Sequence, residues 1–192
     1  MTRSADTSPS TPTKYRRVVT ANSGGKSVVS SDEELLPYAF RTIPGYMHTL
    51  VWKNDGTPDL SREQAMNGYP RSVVPGPGGT TLHIVTFPPS SIMASPSFDG
   101  AAAQQESLER LPGLADTFEH DGGGMHTTRT VDYSLVFEGE IWLELDDGKT
   151  VHLRRGDVVV QNGTRHAWRN KGERPVVMLF FMNGAKGGTK EA

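Results

Sequence analysis

Residues 125–170 read MHTTRTVDYSLVFEGEIWLELDDGKTVHLRRGDVVVQNGTRHAWRN, and this stretch decides the fold. Strict alternation places His126, Thr128, Thr130, Asp132, Ser134 and Val136 on one face of a strand, because successive side chains leave the pleat on opposite sides. That face is polar where it begins and apolar where it ends. Glu138-Gly139 and Asp146-Asp147-Gly148 are turn signals, and the stretch closes on His166-Ala-Trp-Arg-Asn170. The pattern predicts antiparallel sheet that returns His166 to the end where His126 starts.

Outward from this core, six short strands are predicted: Thr128 to Phe137, Glu140 to Leu145, Thr150 to Leu153, Val158 to Gln161, His166 to Arg169 and Val176 to Met182. Upstream, Thr80 to Phe87 is a strand stopped by Pro88-Pro89, and Met47 to Lys53 is another, stopped by Asn54-Asp55-Gly56. Tyr15 to Thr20 and Lys26 to Ser30 flank Asn22-Ser23-Gly24-Gly25 as an outer hairpin. Ser61 to Asn67 fits one or two helical turns. Ala101 to Leu111 has helix formers, with Leu108 and Leu111 at helix-face spacing, and would cover the mouth of a barrel.

With 21 Gly, 13 Pro and 35% hydrophobic residues in 192, many turns around a concentrated core are expected, so an all-β design suits better than a helical one. The expected organisation is a disordered tail over residues 1–14, rich in Ser, Thr and Pro, one domain over 15–183 and a flexible tail over 184–192.

The spacing in this region resembles the cupin superfamily. Its first motif runs Gly, five residues, His-x-His, three or four residues, Glu, six residues, Gly; here His126-Thr127-Thr128, Asp132 and Gly139 stand at those places. Its second motif looks like Gly156-Asp157, Gln161-Asn162-Gly163, His166 and Asn170. The resemblance implies a jelly-roll β-barrel with its core over 118–183, an N-terminal strand extension and a homodimer paired through that extension. Pairing would cover edges that Tyr15 to Ser30 otherwise present. Two departures stand out: Thr128 replaces the second histidine and Asp132 the glutamate, and Gln161 replaces a proline with one residue fewer ahead of it.

The metal set that the resemblance implies is thereby reduced to His126, Asp132 and His166. Two imidazoles and a carboxylate form a face suited to Fe(II) and O₂, and Mn or Zn also fits such ligands. The same three residues read without metal are acid-base groups for a dehydration, isomerisation or cyclisation. Read as fold residues, they are a hydrogen-bonded plug at a barrel end. Thr128, Thr130, Ser134, Trp168 and His83 are the candidate substrate-binding residues, with Trp168 also readable as core and His83 as a core or interface residue. Tyr133 should point away from the pocket, Asn170 should pin a turn, and His120 and His152 should lie at the surface. His48 has no partner that the sequence reveals.

The expected function is a small-molecule enzyme of secondary metabolism acting on an organic acid, phenolic or polyketide-like substrate, as a metal-dependent oxygenase or as a lyase, dehydratase or isomerase. The alternative is a cupin that binds a small molecule without turning it over. A net charge of −2 without basic clusters argues against nucleic acid. The absence of Cys excludes disulfides and thiolate ligands. No apolar run approaches membrane-spanning length and the first residues lack the apolar core of a signal peptide, so a cytoplasmic protein is expected.

Overall fold

A computed structural model describes residues 14–61, 66, 68–120 and 123–187. The helical turns expected at Ser61 to Asn67 fall almost wholly outside these residues, as do tail residues 1–13 and 188–192. Among the described residues the chain is all-β apart from one α-helix and three single 3-10 turns. In order it forms β1 (Tyr15–Ser23), β2 (Lys26–Leu35), β3 (Tyr38–Ala39), β4 (Met47–Asn54), β5 (Thr80–Phe87), α1 (Gly100–Arg110), β6 (Thr130–Glu138), β7 (Glu140–Glu144), β8 (Thr150–Arg154), β9 (Val158–Asn162), β10 (Ala167–Arg169) and β11 (Val176–Gly184).

These strands make three antiparallel sheets. β1 and β2 form a separate hairpin, β10-β7-β8 a three-stranded sheet, and β3-β4-β5-β11-β6-β9 a six-stranded one. The two larger sheets face one another. Val136, Val176 and Met178 of the six-stranded sheet pack on Ile141, Leu143 and Leu153 of the three-stranded sheet, and all six are buried. The jelly roll is therefore an open sandwich: its two sheets are joined by packing, with no continuous hydrogen-bonded ring of strands among the described residues. The β6–β7 connection is as tight as Glu138-Gly139 predicted. Gly139 has φ 85°, and a Cβ there would approach Val176 Cγ2 to 3.1 Å, so a side chain at this turn meets both strain and crowding.

A second small core lies under α1, where Phe40, Val73, Leu111 and Ala115 are buried together. Asp99 caps the helix by accepting from Ala102 N–H at 3.0 Å. The helix's buried face is Ala103, Glu106 and Ser107, which corrects the expectation of a Leu108/Leu111 face. Leu108 is 42% exposed, and Leu111 is buried but lies just past the helix. The reason is Glu106, which turns inward because the 38–42 segment satisfies it. Its carboxylate accepts from Tyr38 Oη at 2.8 Å, Arg41 N–H at 3.1 Å, Thr42 N–H at 2.8 Å and Thr42 Oγ1 at 2.5 Å.

The inner face of the six-stranded sheet is laid out in rows that run across its strands. Register places Val136, Met178, Val85 and His48 in one row across β6, β11, β5 and β4, and Ser134, Phe180, His83 and Leu50 in the next. A third row carries Asp132, Met182 and Thr81. The face grades from apolar to polar along the strands, as the alternation from His126 to Val136 predicted. No helix among the described residues is long and apolar enough to cross a membrane.

Candidate active-site cavity

At the polar end the two sheets part around a cavity of ≈ 620 Å³, lined by residues from both cores. Tyr46, Phe87, Phe118, Trp168 and Phe180 supply aromatic walls, and Val85, Leu111, Leu114 and Met182 fill between them. His126, His166, Asp132, Thr128, His83 and His48 also line it. The volume and apolar lining suit a small organic ligand.

His126 and His166 meet because the strand order continues one step beyond β10. His126 N–H donates to His166 O at 2.9 Å, His166 N–H donates to His126 O at 3.0 Å, and the rings lie 4.2 Å apart. Their tautomers follow from the backbone. His126 Nδ1 lies 3.0 Å from Gly124 O, and His166 Nδ1 lies 2.9 Å from Thr164 O. A carbonyl only accepts, so each proton sits on Nδ1 and each Nε2 keeps a lone pair. Burial lowers the pKa of His126 against the pull of Gly124 and Glu119. Burial, reinforced by His126, takes His166 down to about 3. Both imidazoles are neutral at neutral pH.

Asp132 sits across from them on β6. Burial raises its carboxyl to about 6, against a lowering hydrogen bond from Thr130. Its Oδ1 is buried without a hydrogen-bond partner, as are Ser134 Oγ on the same strand face and Gln161 Oε1, whose residue pairs with Asp132 across β6–β9. Of the three residues only Asp132 lines the cavity, so its unpaired oxygen is the one a bound molecule would satisfy, while Ser134 and Gln161 lie outside the lining. Thr128 Oγ1 and Thr130 Oγ1 hydrogen-bond each other at 2.7 Å and are both buried.

The metal reading meets an obstacle. Among the described residues no group of three or more His, Asp or Glu is placed to hold a metal ion. The three-residue set of His126, Asp132 and His166 expected for Fe, Mn or Zn is not assembled. The histidines belong to the extension of the three-stranded sheet and Asp132 to the other sheet, where a side chain one methylene shorter than glutamate does not close the gap. The residues present do not fit a resident metal with three protein ligands.

Other expectations resolve individually. Trp168 both walls the cavity and packs against the main core. Asn170 pins a turn, donating to Phe87 O at 3.0 Å and Arg174 O at 2.8 Å and accepting from Gly172 N–H at 3.0 Å. Tyr133 points outward and stacks on Phe181. His120 is exposed, and His152 lies outside against Trp142 and Glu140. The residue missed outright was His48. Its Nε2 lies 3.0 Å from His83 Nδ1, and both rings are buried. The sequence signal available was a histidine on each of two apolar strands; the β4–β5 register that joins them was not readable.

Fold and cavity together define a jelly-roll sandwich with a buried polar cluster at one end. Residues 119–182, a third of the chain, match the family described as Cupin domain. It is 47% identical over 58 residues to a phomopsin biosynthesis cluster protein C' of Diaporthe leptostromiformis, covering 30% of this chain and 31% of that protein. It is 46% identical over 65 residues to the cupin-domain-containing oxidoreductase virC of Hypocrea virens, covering 32% and 34%. These matches span about a third of the length of the curated relatives. Among solved structures, an RmlC-like cupin of Shewanella frigidimarina is 12% identical with a TM-score of 0.37, over 74% of this chain and 78% of that one.

Proposed function

We propose that the cavity binds a neutral aromatic molecule of the phenolic or polyketide-like kind and moves a proton on it, as an isomerase, lyase or dehydratase would. One observation carries the reading: two imidazole Nε2 lone pairs and a carboxyl with a pKa of about 6 line the same apolar cavity. A buried acid near neutrality is present in both protonation states at working pH, which general acid-base catalysis needs. The names of the relatives, several from biosynthesis clusters, support placing this chain in secondary metabolism.

A phenolic hydroxyl donates to an Nε2, since neither imidazole offers a proton there. That bond pushes electron density onto the ring. Protonated Asp132 delivers its proton to the ring carbon beside the oxygen as the hydroxyl proton passes to the imidazole, giving the keto tautomer; the reverse step restores both. A neutral substrate is favoured over an organic acid because the arginine lining the cavity, Arg169, is engaged by Glu144 and Gly123 O.

The test is deuterium uptake at C1 of 2-naphthol in D₂O, followed by mass spectrometry. The protein should accelerate uptake over buffer, and Asp132→Asn should cut the acceleration roughly 100-fold or more. Tight binding without accelerated uptake would instead support the non-catalytic alternative, and an unchanged rate in Asp132→Asn would remove that residue from the chemistry.

A further inference from the structure

We infer that His48, backed by His83 and Thr81, is a second polar pole of the cavity that selects ligands carrying an oxygen at each end. This rests on the reading of the cavity as an aromatic-ligand site. Thr81 Oγ1 lies 2.9 Å from His83 Nε2, and His83 Nδ1 lies 3.0 Å from His48 Nε2. The three residues are buried, with His48 at 5% exposure, His83 at 3% and Thr81 at 1%. His48 Nδ1 has no hydrogen-bond partner among the described residues, and the ring lines the cavity.

Every other polar group of this chain of contacts is used internally. The wall around His48 is apolar, formed by Tyr46, Val85, Phe87 and Leu114. His48 Nδ1 is therefore open to the cavity, where a ligand oxygen or a water can meet it. The chain also fixes what His48 offers. When Nε2 carries the proton, it donates to His83 and Nδ1 accepts; when His83 Nδ1 donates instead, His48 Nδ1–H is a donor. The Thr81 hydroxyl can rotate to suit either arrangement. One terminus therefore matches a hydroxyl or a carbonyl oxygen without any ionisation, and burial lowers the pKa of both imidazoles, keeping the pair neutral.

His48 on β4 and Asp132 on β6 have β5 and β11 between them and stand two rows apart. Three inter-strand spacings alone separate them by roughly 14 Å, so the two poles lie at opposite ends of the cavity. A ligand that reaches both carries its oxygens at opposite ends of an extended frame, as two fused aromatic rings do.

Calorimetric binding of 2-naphthol and 2,6-dihydroxynaphthalene tests the assignment. The diol should bind about tenfold more tightly, the difference one hydrogen bond makes. His48→Leu should bring that ratio to about one while leaving the 2-naphthol Kd within about twofold, and His48→Gln should retain part of the preference. Circular dichroism melts of each variant report whether it is folded; should His48→Leu not fold, His83→Gln, which breaks the backing bond, is expected to lower the ratio by itself. Equal affinity of the two naphthols for the native protein, or a preference that persists in folded His48→Leu, overturns the inference and leaves the proton-transfer reading standing. Failure of both naphthols to bind overturns that reading and this inference together.

Discussion

His126 and His166 exchange both of their backbone hydrogen bonds, so main chain holds the two imidazoles beside each other, with ring centroids 4.2 Å apart and planes tilted by 47°. The arrangement is insensitive to what the rings bind. Each ring is then turned by its own Nδ1 contact with a carbonyl two residues earlier in the chain, Gly124 O for one and Thr164 O for the other. The cavity thus receives the Nε2 lone pairs of two adjacent rings tilted by 47° to each other.

Asp132 should make the protein less stable as it ionises. Its folded-state pKa of about 6 lies above the ordinary 3.8, so the folded protein holds the proton more tightly and stability falls as pH rises from about 4 to 6. A shift of this size is worth roughly 3 kcal/mol at most. Asp132→Asn should therefore raise Tm at pH 7.5 and leave it nearly unchanged at pH 4, while lowering activity. Equal Tm changes at both pH values would contradict the buried carboxyl.

The buried histidines act in the opposite sense. His48 is lowered to about 4 and His166 to about 3 by burial, against 6.5 when exposed. Their contribution is present above pH 6.5 and lost as pH falls toward 4 and 3, because only the unfolded chain takes up the protons. Urea midpoints should decline steadily below pH 6.5, and His48→Leu should flatten that decline. An identical slope in the variant would show that His48 is not buried neutral.

Glu106 should hold the 38–42 segment to α1. Burial raises its carboxyl, but bonds from Thr42, Arg41 and Tyr38 outweigh it and hold it at about 2, so its contribution persists above pH 4.5 and fades toward pH 2. Glu106→Ala should cost about 2–4 kcal/mol by removing a charged acceptor from four donors. Urea denaturation measures this, and a loss below about 1 kcal/mol would mean the donors find other partners.

The outer face of the six-stranded sheet carries a row of exposed apolar residues: Val160 at 57%, Tyr133 at 49% and Phe181 at 38%. They are neighbours by register, and the rings of Tyr133 and Phe181 stack with an interplanar angle of 5°. A row this exposed tolerates a polar replacement, so Phe181→Glu should shift stability by no more than about 0.5 kcal/mol in urea denaturation; a larger loss would show that the row is packed.

Much of this architecture was legible because period-two alternation is a local property. Residues 126 to 136 announced which side chains share a face, and Glu138-Gly139 announced the hairpin after them. The expected strand Thr80 to Phe87 has the same limits as β5. What stayed hidden depended on pairings between distant strands. Nothing in the sequence says that β4 lies beside β5 in the register that joins His48 to His83, or that Glu106 of α1 meets four donors from residues 38–42. The metal expectation depended on convergence of a different kind. Motif spacing put Asp132 on the proper strand face but did not fix the gap between two sheets.

The central claim is that His126, His166 and Asp132 address one bound molecule, and a crystal structure of the protein with 2-naphthol tests it most directly. The account predicts the naphthol oxygen within hydrogen-bonding distance of His126 or His166 Nε2, with ring carbon C1 against Asp132 Oδ1. A naphthol bound elsewhere, or seated in the cavity with its oxygen turned away from both imidazoles, would contradict it.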